Sequence, residues 1–121
     1  MPRILLVADQ VEPLKELAQT LGAEKEIEVL WAHDGDAALE SVAAHSPALV
    51  VVDASIGGDS GLDLIQRLIS VDAFIQTAVV SPLSHDDFHE ASEGLGIMAQ
   101  LPPRPSRSDA LKLLQTLRHY I

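Results

Sequence analysis

The apolar positions of this chain change period repeatedly, and each change marks the border of an element. Ile4 to Val7 is a continuous run of strand length, after which Leu14, Leu17, Ala18 and Leu21 recur at helical spacing up to Gly22. Ile27, Val29 and Trp31 alternate with other residues, as in a half-exposed edge strand, and Asp34-Gly35 predicts a turn. Leu39, Val42 and Ala43 predict a second helix, ended by Ser46-Pro47. Ala48 to Val52 is the most apolar strand, and Leu62, Ile65, Leu68 and Ile69 mark a third helix. Ile75 to Val80 reads as a fourth strand, followed by a polar, acidic helix from about Ser84 to Glu93. Ile97 to Leu101 is a weaker fifth strand. After the connection PPRP, Ser106 and Asp109 stand as N-cap and N3 of a closing helix whose apolar stripe is Ala110, Leu113, Leu114 and Leu117.

Strands that alternate with helices, several of them apolar on both faces, predict an α/β fold with a parallel sheet covered on both sides. Right-handed crossovers leave few topologies, and the exposed second and buried third strands select the order 2-1-3-4-5. The expectation is a doubly wound (βα)5 sheet of the flavodoxin-like kind, forming one domain over 1–121. With 47% hydrophobic and 3% aromatic residues, its core must be built from Leu, Val, Ile and Ala.

Charge and composition exclude several classes. A formal net charge of −10 argues against direct binding to a nucleic-acid backbone. The absence of cysteine excludes disulfides and thiol chemistry and fits a reducing compartment. The apolar runs fall short of the roughly 20 residues that span a bilayer, and Met1-Pro2-Arg3 does not open a signal peptide. A cytoplasmic protein with no membrane partner is expected.

The candidate chemistry lies at the strand ends. Open parallel sheets place their sites beyond the carboxyl ends of the strands, and there ALVVVDASIGGDSG delivers Asp53 and ILLVAD delivers Asp9. Two acids at one sheet edge suggest a divalent metal or an activated carboxylate. Asp53 is also a residue type common in turns, and Asp9 in helix caps.

In order and spacing, ILLVAD, HDGDAALE, ALVVVD, GGDSGLDLIQRL, AVVSP and RPSRSDAL resemble a response-regulator receiver domain from end to end. That resemblance implies a non-enzymatic module of a two-component phosphorelay, in which Asp53 accepts a phosphoryl group from a histidine kinase or phosphotransfer protein. It implies Mg²⁺ held by Asp9, Asp53 and the Ser55 carbonyl, and a phosphoryl-binding hydroxyl at Ser81. The lysine that the family carries after the fifth strand falls at Arg104 when aligned through the last helix, which keeps a positive charge, or at Pro103 when counted from Ser81, which removes it. A downstream protein or effector domain is the expected output partner. The face of the fourth helix, fifth strand and fifth helix is the expected surface for that partner or for a homodimer.

The chain also departs from that pattern. Ala8 stands where the family usually carries a second acid, so weaker Mg²⁺ binding is expected. Arg is not a simple substitute for Lys, Gln100 or Leu101 replaces the usual aromatic switch residue, and Gly57 stands where Pro is common. Ser55 and Leu83 occupy the positions that orient attacking water. The apolar Leu83 cannot do so, which predicts a long-lived acyl phosphate. The alternative is a pseudo-receiver, an interaction module independent of phosphorylation. Gly58-Asp59-Ser60-Gly61 imitates a serine-protease signature, but Ser60 is better placed to cap the third helix. His85 and His89, at i and i+4, have no evident third metal ligand.

Overall fold

The computed structural model describes residues 2–56 and 59–120. Five parallel strands, β1 (Arg3–Val7), β2 (Glu28–Ala32), β3 (Leu49–Asp53), β4 (Gln76–Val80) and β5 (Ala99–Leu101), form a sheet in the order β2-β1-β3-β4-β5. The helices are α1 (Lys15–Gly22), entered through a 3-10 turn at Glu12–Leu14, then α2 (Gly35–His45), α3 (Gly61–Val71), α4 (His85–Ala91) and α5 (Arg107–Leu117). This is the doubly wound flavodoxin-like arrangement expected from the apolar pattern.

Strand alternation builds two cores. Ile4, Leu6, Leu49, Val51, Ala78, Val80 and Leu101 pack under α1 and α5, while Leu5, Val7, Val50, Val52 and Val79 pack under α2, α3 and α4. Between Arg3 and Gln76-Thr77 at their starts and Asp53 at the end of β3, the central strands are therefore apolar in unbroken runs, because each face meets a helix layer. The edge strand β2 stays exposed to half-buried until Ala32.

Helix starts follow their capping residues. In α5 the Asp109 N–H donates to Ser106 Oγ at 3.2 Å and the Ser106 N–H donates to Asp109 Oδ2 at 2.9 Å, the expected capping box. Asp34, expected in a turn, is instead the N-cap of α2 and accepts the Ala37 N–H at 2.7 Å. The buried positions of α2 are Ala38 and Val42, and Ala43 faces solvent. Ser84 caps α4 by accepting the Asp87 N–H at 3.1 Å. Within α4, Phe88 is buried and the other residues are exposed, so this helix is fastened at one point. No described helix is long and apolar enough to cross a membrane.

Candidate functional site

Pairing of Val7 with Val52 and of Asp53 with Val80 aligns the carboxyl ends of β1, β3 and β4. The registers thus bring Asp9, Asp53 and Ser81 to one edge, between the strands where the winding reverses. Asp53 is half-buried and Asp9 exposed, while Ala8 between β1 and Asp9 is fully buried. His33 Nδ1 lies 3.0 Å from the Ala8 carbonyl oxygen. Because a carbonyl only accepts, that nitrogen carries the proton, and His33 anchors the start of the loop that bears Asp9. The His33 ring also stacks on Trp31, with centroids 6.2 Å apart. Periodicity gave no signal for this anchor, since its partners are 25 residues apart.

After Asp53 the backbone leaves the sheet in a short antiparallel ladder, Ser55 and Ile56 pairing with Ser60 and Asp59. Ala54 ties both sides: its N–H donates to the Val80 carbonyl and its carbonyl accepts the Gly61 N–H, each at 2.9 Å. A Cβ on residue 61 would fall far inside contact of the Asp53 carbonyl oxygen, so only glycine fits where α3 begins. Ser60 is the N-cap of α3, as expected, but makes no side-chain capping bond. The Gly61 bond to Ala54 satisfies the helix's first N–H instead. The Ser55 carbonyl, the expected third metal donor, belongs to this ladder, and Gly57 lies outside the described residues.

Ser81 is buried at the end of β4. Its N–H donates to the Leu101 carbonyl at 2.9 Å, and its Oγ accepts the Leu83 N–H at 3.2 Å. With Ala54, Leu62, Leu83 and Phe88 it lines an apolar cleft of about 280 Å³ beside the end of β3. Arg104 is held elsewhere. The last sheet pair at this end is Val80 with Leu101, and Arg104, at a φ of 52°, turns its guanidinium to the Glu12 carboxylate at 3.4 Å. Pro103 precedes it in the same exposed loop. The structure therefore gathers the two acids and the serine, and pairs Arg104 with the turn that leads into α1. His85 and His89 stack on each other at 6.5 Å, and among the described residues no cluster of three or more His, Asp or Glu side chains forms a metal centre.

The donor set at the edge is nevertheless hard and oxygen-only: two carboxylates and a backbone carbonyl. That chemistry fits Mg²⁺, which keeps several waters and needs one or two carboxylates.

The sequence pattern of the response regulator receiver domain matches residues 4–114. The chain belongs to that family. Comparison of this receiver domain with curated proteins finds no match. Among solved structures it is similar to a CheY-like receiver domain protein from Methanospirillum hungatei, with TM-score 0.85, 21% identity and 99% and 96% of the two chains covered. It is also similar to the chemotaxis response regulator CheY4 of Vibrio cholerae, with TM-score 0.84, 19% identity and coverage of 97% and 98%. A response regulator from Burkholderia pseudomallei, solved with a phosphorylated aspartic acid, calcium ion and citrate, matches at TM-score 0.79 and 24% identity, with 97% of this chain and 66% of that one covered. At these identities the likeness bears on the fold. Receiver domains are generally signalling modules rather than enzymes, and the family works with kinases and downstream effectors.

Proposed function

We propose that this receiver domain accepts a phosphoryl group on Asp53. The observation that carries the reading is the register that sets Asp53 at the carboxyl end of the central strand, one residue past Val52 and directly paired with Val80. Asp9 and Ser81 follow the two neighbouring strands. In the transfer, an Asp53 carboxylate oxygen forms a bond to phosphorus as the donor's bond to phosphorus breaks, and the departing electron pair stays on the donor. The product is an acyl phosphate on Asp53.

Asp9, Asp53 and the Ser55 carbonyl would hold Mg²⁺, which when bound neutralises charge gathering on the phosphoryl oxygens. The protein's own part is positioning. The Ala54 bonds to Val80 and Gly61 hold the backbone on the far side of Asp53. The Ser81 Oγ keeps its own proton while accepting from Leu83, so that hydroxyl can donate to a phosphoryl oxygen. A histidine kinase or phosphotransfer protein would be the donor, and a downstream protein the reader of the modified state.

Acetyl phosphate or beryllofluoride with Mg²⁺ tests the reading, with intact mass or amide NMR shifts as readout and Asp53→Asn as control. Acetyl phosphate should add one phosphoryl mass to the wild type and none to the variant. A wild type inert to both reagents would establish the alternative, a pseudo-receiver binding partners without modification. Buried Ala8 in place of an acid and Arg104 paired with Glu12 are the observations that favour that second reading.

A further inference from the structure

β1 ends at Val7, but the end of β2 holds the chain for one residue more. The Ala8 N–H donates to the Ala32 carbonyl at 3.1 Å, and the Ala8 carbonyl accepts from His33 Nδ1 at 3.0 Å. Both polar groups of Ala8 thus go to consecutive residues, one bond made by backbone and the other by a side chain. His33 is itself braced. Its ring stacks on half-buried Trp31 at an interplanar angle of 15°, and the next residue, Asp34, is tied into α2 by its cap bond to Ala37 and by the Ala38 N–H, which donates to its carbonyl at 3.1 Å. A peptide unit is planar, so a bond to the Ala8 carbonyl also sets the Asp9 nitrogen and Cα. Beyond them the span is short. Asp9 and Gln10 alone separate the anchored peptide from Val11, whose carbonyl accepts the Leu14 N–H at 3.0 Å as the 3-10 turn begins, and Leu14 is fully buried.

From this geometry we propose that His33 is a positioning residue: its imidazole N–H sets the point from which the Asp9 carboxylate reaches a divalent cation beside Asp53. The assignment rests on the reading of Asp9 and Asp53 as acids that hold Mg²⁺, and adds to them a residue that is not a ligand. Asp9 is the one acid between Val7 and Val11, so no second carboxylate there makes up for a misplaced one. Without the imidazole bond, the contact to β2 that remains at Ala8 is made by its N–H, which belongs to the preceding peptide. The Ala8–Asp9 peptide can then turn about the Ala8 Cα–C bond and swing Asp9 while the sheet stays paired. A carboxylate in place for only part of the time binds the cation more weakly by that fraction.

Three substitutions separate the hydrogen bond from the ring. His33→Asn keeps an N–H donor close to where Nδ1 stands and loses the ring, His33→Leu has the same branching without the donor, and His33→Phe keeps a ring without the donor. In the wild type the neutral imidazole should carry its proton on Nδ1, read from the ring nitrogen NMR shifts. In the metal-free proteins the amide order parameters of Asp9 and Gln10 should fall in His33→Leu and His33→Phe and hold in His33→Asn. The Ala8 amide should stay protected from exchange in every variant, because Ala32 still holds it. Titration with Mg²⁺ alone, followed by the Asp9 and Asp53 amide signals, should show affinity lowered roughly fivefold in His33→Leu and His33→Phe, the scale of one net hydrogen bond, and kept in His33→Asn. A neutral ring with its proton on Nε2 would overturn the proposal, as would a loss of affinity that follows the ring, with His33→Asn weak and His33→Phe like the wild type. If Mg²⁺ leaves wild-type Asp9 and Asp53 unmoved while the order parameters fall as stated, the metal reading fails and the anchor stands. If Mg²⁺ binds the wild type and every variant equally, the metal reading stands and the positioning role falls.

Discussion

Ala8 and Gly61 lie to either side of Asp53, and substitution at each is costly for a different reason. Ala8 is fully buried, so Ala8→Asp places a carboxylate where water cannot reach it without rearrangement. The variant should lose at least about 1–3 kcal/mol in the metal-free protein and regain part of it as Mg²⁺ is added. Urea unfolding with and without Mg²⁺ gives both numbers, and the fluorescence of Trp31, the one tryptophan, stacked on the His33 that anchors Ala8, gives the metal affinity. An affinity unchanged from wild type would refute the claim that the missing acid weakens the site. At Gly61 an added methyl meets backbone rather than a yielding side chain. Gly61→Ala should cost roughly 1–3 kcal/mol and slow modification of Asp53. Gly22→Ala, whose Cβ would meet Val29 Cγ2 at an ordinary 3.9 Å, should instead stabilise by about 0.5–1 kcal/mol. Leu83 is 43% exposed beside Ser81 and has no polar group to orient water. Once formed, the acyl phosphate should persist in Mg²⁺, and Leu83→Gln should shorten its half-life in a timed mass assay.

Among the elements, α5 was the most legible from sequence because its signals are local. Its cap, its N3 acid and its apolar stripe lie within twelve residues, and Ala110, Leu113, Leu114 and Leu117 are all buried as expected. Ser106→Ala removes the hydroxyl that accepts the Asp109 N–H and should cost about 1 kcal/mol, lowering Tm by roughly 3–5 °C in a thermal melt. The strands were legible for a similar reason, since burial on both faces writes itself as unbroken apolar runs. Asp34 was misread because Asp-Gly favours turns and caps alike, and the bond to Ala37 decides between them. The contacts that shape the edge around Asp53 were out of reach of any local period. Arg104 meets Glu12 across 92 residues of sequence, His33 meets Ala8 across 25 and Gln100 meets Leu83 across 17. Asp9, Asp53 and Ser81 could be assigned to one edge from strand order alone, whereas the hydrogen bonds around them depend on side-chain placement.

The whole molecule carries a net charge of −10 around an edge built from acids. Self-repulsion of that size weakens with screening, so the urea midpoint should rise as salt increases from about 10 mM to 150 mM, where the Debye length falls from about 30 Å to 8 Å. Mg²⁺ at matched ionic strength should raise it further, and Asp53→Asn should bring the Mg²⁺ effect down toward that of sodium. Packing is unequal around the same sheet. Four buried side chains lash α5 to one face, but Phe88 alone pegs α4 to the other. A helix lashed along its length can only ride with the sheet, whereas one hung from a single peg can swivel. Burial of one aromatic ring amounts to roughly 1.5–3 kcal/mol, so of the two helices α4 has the smaller apolar contact to give up if it leaves the sheet.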